Sequence, residues 1–221
     1  TLENVRVLSP LVLCVLGQNP GPHTLQGTNT YLIGNGKKRI LLDCGEGKQE
    51  YYPLLQSVLK ENDIEIQEII CSHWHRDHIC GIPKLIELYP TLQASKFPDS
   101  HDKEILPDFD FKSIHDLQEF KCDGATLTAM YTPGHSDDHI SFYFSEEEAI
   151  FSGDCILGEG TTAFQDLSLY MNSLNIILNK KPKRIYPGHG PVIENGIEKI
   201  EYYLAHRNKR EEQIFEVLQT E

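Results

Sequence analysis

The stretch "HWHRDH" places His73, His75, Asp77 and His78 within six positions. Imidazole and carboxylate side chains packed this densely bind divalent cations. With no thiolate among them they suit Zn²⁺, with Mn²⁺ or Fe as alternatives. The plain alternative is a polar loop that happens to hold three of the chain's ten histidines. Three further segments weigh against it. "MYTPGHSDDH" offers His135, "IFSGDC" offers Asp154 and "IYPGHG" offers His189. Each ends a short apolar run with a turn containing Gly or Pro, the context in which a rigid strand presents a functional loop. In an extended turn His73 and His75, two positions apart, project to the same side, while Asp77 and His78 continue into a helix start. These residues outnumber the four ligands of a structural zinc site. The surplus points to two metal ions about 3.5–4 Å apart, the arrangement of dinuclear hydrolytic sites, where a bound water ionises near neutral pH.

The elements that must position these residues are legible in outline. Val5–Val7 and Leu11–Leu16 read as strands, and two apolar runs around Asn35–Gly36 read as a hairpin. Tyr51 to Asn62 has a helical period, Glu68–Cys71 is a buried strand leading into the histidine cluster, and "IPKLIELY" is a helix with Pro83 in its first turn. Residues 93–124 look irregular, with short strands near Ile114 and Phe120. Strands return at "ATLTAMYT", "ISFYF" and "AIFSG". Asp166 caps a helix with Leu167, Tyr170, Met171, Leu174, Ile177 and Leu178 on its inner face. After the strand "RIYPGHG", a charged helix from Glu194 carries Ile197, Ile200, Tyr203, Leu204 and Ile214 on its apolar side. A strand–helix layout on both sides of the chain's middle implies an α/β (α+β) fold with two sheets between helices.

The chain has 221 residues, ample for a sizeable core. Its net charge of −13 argues against broad binding to a phosphate backbone, but not against a site whose positive charge is metallic. Six scattered cysteines without a C-x-x-C pair read as small apolar residues of a reduced, intracellular chain. No apolar run is long enough to span a membrane. The first residues are neither a signal peptide nor a transit peptide, and they do not begin with Met.

H-x-H-x-D-H followed by separate His, Asp and His at strand ends resembles the metallo-β-lactamase superfamily, over essentially the whole chain. The resemblance implies the four-layer αβ/βα sandwich of that family, with two Zn²⁺ at the edge of its sheets. It implies a catalytic domain over residues 1–193, with 194–221 the start of an appended helical region that is absent or truncated. By the family pattern His73, His75 and His135 would hold one metal and Asp77, His78 and His189 the other, with Asp154 bridging. Asp77 would also be catalytic, orienting the attacking water and taking up its proton. A bridging aspartate is the pattern of glyoxalase II-type thioesterases and of the superfamily's nucleases. The motifs "NPGPHTLQGTNTYLIG", "YTPGHSDDHISF", "FSGDCILGEGTT" and "YPGHGPVI" are similar to a subgroup of animal mitochondrial endoribonucleases. That resemblance implies single-stranded RNA as substrate and the mitochondrial matrix as location. Two alternatives stay open: a glyoxalase II-like hydroxyacylglutathione hydrolase, and a non-catalytic binding module on the same scaffold. No protein partner is readable.

Around the ligands, Asn29 in "GTNTY" and Asn172 on the helix after Asp166 are candidate substrate contacts, against turn chemistry and a solvated helix face. "HRNKR" at 206–210 is the candidate nucleic-acid contact among the few basic residues. His139 reads as a structural histidine, and His23, His101 and His115 as surface residues.

Overall fold

The computed structural model describes residues 2–219. In chain order the strands and helices are β1 (Val5–Ser9), β2 (Val12–Leu16), β3 (Asn29–Ile33), β4 (Lys38–Leu42), α1 (Tyr51–Glu61), β5 (Glu65–Ile70), α2 (Arg76–Ile79), α3 (Ile82–Leu88), β6 (Ala94–Lys96), α4 (Asp102–Ile105), β7 (Lys112–Ser113), β8 (Glu119–Cys122), β9 (Ala125–Tyr131), β10 (Ile140–Phe144), β11 (Ala149–Gly153), α5 (Leu167–Asn179), β12 (Arg184–Pro187) and α6 (Gly196–Gln219). A seven-stranded sheet runs β1 to β7 in order, and a five-stranded sheet runs β12-β11-β10-β9-β8. The strands β1 to β4 pair antiparallel and β4 to β7 parallel; in the second sheet only the β11–β12 pair is parallel.

The alternation of side chains along each strand explains the layering. In β2, Val12 and Cys14 face the second sheet and, with Ile33 and Leu42 of their own sheet, pack against its Phe142 and Phe151. Leu13 and Val15 face the other way, onto Tyr51, Leu55 and Val58 of α1 and Ile82 and Leu85 of α3. The second sheet does the same. Phe142 and Phe144 point inward, while Met130, Ile150 and Ile185 pack against Tyr170, Leu174 and Ile177 of α5 and Ile200 and Tyr203 of α6. Both faces of both sheets are therefore covered, which is why the strands read as continuous apolar runs. The Asp166 carboxylate caps α5 by accepting the Leu169 N–H at 2.8 Å.

Two expectations are corrected. Residues 93–124 are mostly irregular and carry short strands beside Ile114 (β7) and at Phe120 (β8), as expected, but they also hold the unexpected strand β6, paired parallel between β5 and β7, and the short helix α4. Ile214 is not on a buried face, being 60% exposed near the end of α6. Among the described residues, no helix is long and apolar enough to cross a membrane.

Candidate metal centre

The C-terminal ends of the parallel strands β4, β5, β11 and β12 open toward one edge of the sandwich, and the chemistry gathers there. His73, His75, Asp77 and His78 follow β5, Asp154 follows β11, His189 follows β12, and His135 sits in the turn after β9. They form two groups, His73 with His75, His135 and Asp154, and Asp77 with His78 and His189; within each the candidate ligand atoms lie within 4.8 Å of one another. All seven residues expected to meet do meet.

In the first group, His75 Nδ1 is 2.9 Å from His73 Nε2 and 3.1 Å from His135 Nε2, and Asp154 Oδ2 is 3.6 Å from His135 Nε2. In the second, Asp77 Oδ2 is 3.2 Å from His78 Nε2 and 3.1 Å from His189 Nε2. The two oxygens of Asp154 are divided between the groups, with Oδ1 3.5 Å from His78 Nε2 and 3.3 Å from His189 Nε2. A shared proton satisfies one pair of ring nitrogens, not three converging ones. The buried His78 Nε2 and Asp154 Oδ1 have no hydrogen-bond partner. Buried polar atoms in proteins are usually paired, and orphaned atoms among converging imidazoles and carboxylates make a donor set that fits divalent cations of the zinc type.

The charges differ between the groups. Burial, helped by the neighbouring imidazoles, pushes His73 well below the ordinary histidine range and His75 down to about 4. Burial opposes charge on His78 too, but the Asp77, Asp43 and Asp154 carboxylates overcome it and hold His78 well above that range. His189 is lifted to about 9 against burial by Asp154 and Asp77. Asp77 and Asp154 are held well below the usual carboxylate range, burial being outweighed by the His78 and His189 rings.

A shell of side chains orients the cluster. Asp43, at the end of β4, accepts the Ser72 N–H at 2.8 Å and the Ser72 hydroxyl at 2.9 Å, and lies 2.8 Å from His78 Nδ1. Sequence reasoning missed it, although "LLDCG" has the same apolar-run-then-turn context as the ligands. His139 is structural, as expected. Its Nε2 accepts the Asp154 N–H at 3.1 Å and its Nδ1 lies 3.0 Å from Thr132 Oγ1. Gly153 has φ +48°, and a Cβ there would stand 2.7 Å from His139 Nε2. The Thr28 hydroxyl donates to Asp77 Oδ2 at 3.2 Å. Cys155 is buried in apolar surroundings that raise its thiol, so it offers no thiolate to the site.

Other expected contacts lie elsewhere. Asn29 is buried, not open to substrate: its amide donates to the carbonyls of Pro187 and Gly190 at 2.9 Å, tying down the turn that carries His189. Asn172 is exposed on α5 and does not line the cleft, while its neighbour Ser173 is buried against the Pro133 carbonyl. Arg207 of "HRNKR" turns inward, with its guanidinium over the Phe164 ring at 4.7 Å. His101 stacks on Trp74 at 4.5 Å, and Trp74 meets the His75 ring edge-on at 4.6 Å.

His75, Asp77, His135, Asp154 and His189 floor a cleft of about 460 Å³ walled by residues 22–25 and 157–163. Its lining includes His23, exposed at the rim as a surface residue was expected to be, and Glu159, but neither Lys nor Arg. A larger hollow of about 610 Å³, between α1, β5 and the end of α3, is lined by neither His nor Cys.

A sequence-family model described as the metallo-beta-lactamase superfamily matches residues 23–189. The "Beta-lactamase-like protein 2 homolog" of Caenorhabditis elegans is 48% identical over 98% of this chain and 74% of its own length. An "Atrochrysone carboxyl ACP thioesterase" of Aspergillus fumigatus is 43% identical over 99% of this chain and 68% of its own. The crystal structure of a metallo-beta-lactamase family protein from Thermus thermophilus superposes with a TM-score of 0.81 at 20% identity, covering 96% of this chain and 84% of that one.

Proposed function

The chain belongs to the metallo-β-lactamase superfamily, and we propose that within it this protein is a metal-dependent endoribonuclease acting on single-stranded RNA, resident in mitochondria. The observation that carries the hydrolytic reading is the convergence of two His/Asp groups on the floor of one open cleft. The RNA assignment draws support from the resemblance of motifs such as "YTPGHSDDHISF" and "YPGHGPVI" to those of the endoribonuclease subgroup, beside the 48% identity to a beta-lactamase-like protein 2 homolog.

His73, His75, His135 and Asp154 would hold one cation and Asp77, His78 and His189 the other, with Asp154 facing both. Bound there, divalent cations supply an ionised water at neutral pH and offset the negative charge that builds on the substrate. Asp77 is half-buried at the cleft floor and fixed by Thr28, so its carboxylate is placed to orient the attacking water and receive its proton. Water attacks phosphorus, the bond to the 3′-oxygen breaks, and the leaving oxygen takes up a proton. His139 and Asp43 keep Asp154 and His78 aimed throughout.

A thioesterase is the second reading. The absence of Lys and Arg from the cleft lining suits a substrate less anionic than RNA, and relatives are named as acyl-carrier-protein thioesterases. Incubation of zinc-loaded protein with labelled single-stranded RNA, duplex RNA, S-lactoylglutathione and an acyl-pantetheine thioester separates the two. The proposal expects metal-dependent cutting of single strands. Thioester turnover with intact RNA would replace it.

A further inference from the structure

The cleft wall hangs from the C-terminal helix. The Tyr203 hydroxyl of α6 accepts the Leu157 N–H at 3.1 Å and donates to the Gly160 carbonyl at 3.0 Å. One turn along the same helix face, Arg207 Nη2 donates to the Thr162 carbonyl, and its guanidinium lies over the rings of Phe164 and Tyr170, which stack on each other. The wall in turn touches the metal centre. The Ala163 carbonyl lies 2.8 Å from His135 Nδ1, and the Thr162 hydroxyl 3.3 Å from the same atom. A carbonyl only accepts, so Nδ1 carries the proton, and Nε2 turns its lone pair toward His75 and Asp154.

We propose that Tyr203 and Arg207 are positioning residues that, through the 157–164 wall, set the ring of His135 and the width of the cleft. The helix is then part of the active site rather than an accessory to it. Arginine suits this place because its planar fork reaches a carbonyl while its face stacks on an aromatic ring, which a lysine ammonium does only in part. The inference rests on the reading of the cluster as a metal centre, not on the identity of the substrate.

The test is Co²⁺ titration of the metal-free full chain, followed by ligand-field absorption and by competition with a chromophoric chelator. It compares wild type with Arg207→Met, Arg207→Lys and Tyr203→Phe, each checked for native circular dichroism. Arg207→Met and Tyr203→Phe are expected to weaken Co²⁺ binding about tenfold, the low end for losing an outer partner of a ligand, and to alter the visible band. Arg207→Lys should recover part of the loss, and with a cleaved substrate KM should rise more than kcat falls. Wild-type affinity and spectrum in folded Arg207→Met and Tyr203→Phe would overturn the inference. Should Arg207→Met fail to fold, Tyr203→Phe, which removes one oxygen and keeps the ring, decides alone. The cobalt readout needs no substrate, so a wild type that binds Co²⁺ but leaves RNA uncut would end the RNA assignment and leave this inference standing on the titration.

Discussion

At the scale of single residues, the two groups differ in how much each proton costs a metal. His75 sits at about 4 and His73 is pushed low, so at pH 6 neither of these two rings carries a proton that a metal must displace. His189 sits at about 9 and His78 is held high, so in the metal-free chain both carry protons that a cation must displace. As pH falls from 9 to 6, affinity at the second group is expected to drop about tenfold per unit for each proton displaced, a dependence to which His73 and His75 of the first group add nothing. Chelator competition at several pH values checks this, and parallel pH dependence at both groups would refute it. Replacing Asp77 by Ala should leave the fold intact and lower turnover by about 10²–10⁴-fold, as loss of a proton acceptor does; steady-state kinetics beside a melting curve would show whether it does. Asn29 acts at the same scale but through backbone. Asn29→Asp removes two donors from the carbonyls of Pro187 and Gly190 and buries a charge, so binding at the His189 group should weaken about 10–100-fold. A zinc titration that matches wild type would count against it.

At the scale of elements, legibility followed local signal. The ligands could be read because each closes an apolar strand with a turn, a pattern set within a few residues. Asn29 and Asn172 could not be placed, because a strand-start or helix position does not say whether a polar side chain meets solvent, substrate or a distant carbonyl. The edge strands β6 and β7, of three and two residues, are too short to show a period. Within β6, Lys96 is almost wholly buried, with its ammonium 2.5 Å from Asp138 and 2.9 Å from Asp102. No hydropathy pattern announces a lysine there. This ion cluster anchors β6 and α4 to the loop between His135 and His139, since Asp138 also accepts the Ser136 hydroxyl at 2.7 Å. Lys96→Met would leave two carboxylates without their cation, at about 3–5 kcal/mol of stability, read as a shift in the urea midpoint. A shift worth under about 1 kcal/mol would show the cluster to be better solvated than its burial implies.

At the scale of the whole molecule, charge and site pull in different directions. A chain of net charge −13 with no Lys or Arg lining its cleft has few cations to exchange for those condensed on RNA. The logarithm of KM for RNA should therefore vary with the logarithm of salt concentration with a slope of about 1 or less, as expected when roughly one phosphate is neutralised. A steep dependence between 50 and 200 mM salt, on the order of a hundredfold, would reveal a cationic track outside the cleft. The layered architecture was visible in the sequence from the strand–helix layout on both sides of the chain's middle. The particular contacts that seat one sheet on the other were not, because Phe142 and Phe151 meet Tyr31 across about a hundred residues of chain.

Both donor groups draw on both sheets, and the last member, His189, comes after β12, the final strand. A polypeptide growing from its N-terminus thus carries an unfinished nest until nearly all of the sandwich has been synthesised. A partly made copy can complete the His73, His75, His135 and Asp154 group once residue 154 is added, but lacks the second group until His189 arrives, an order set by the chain alone.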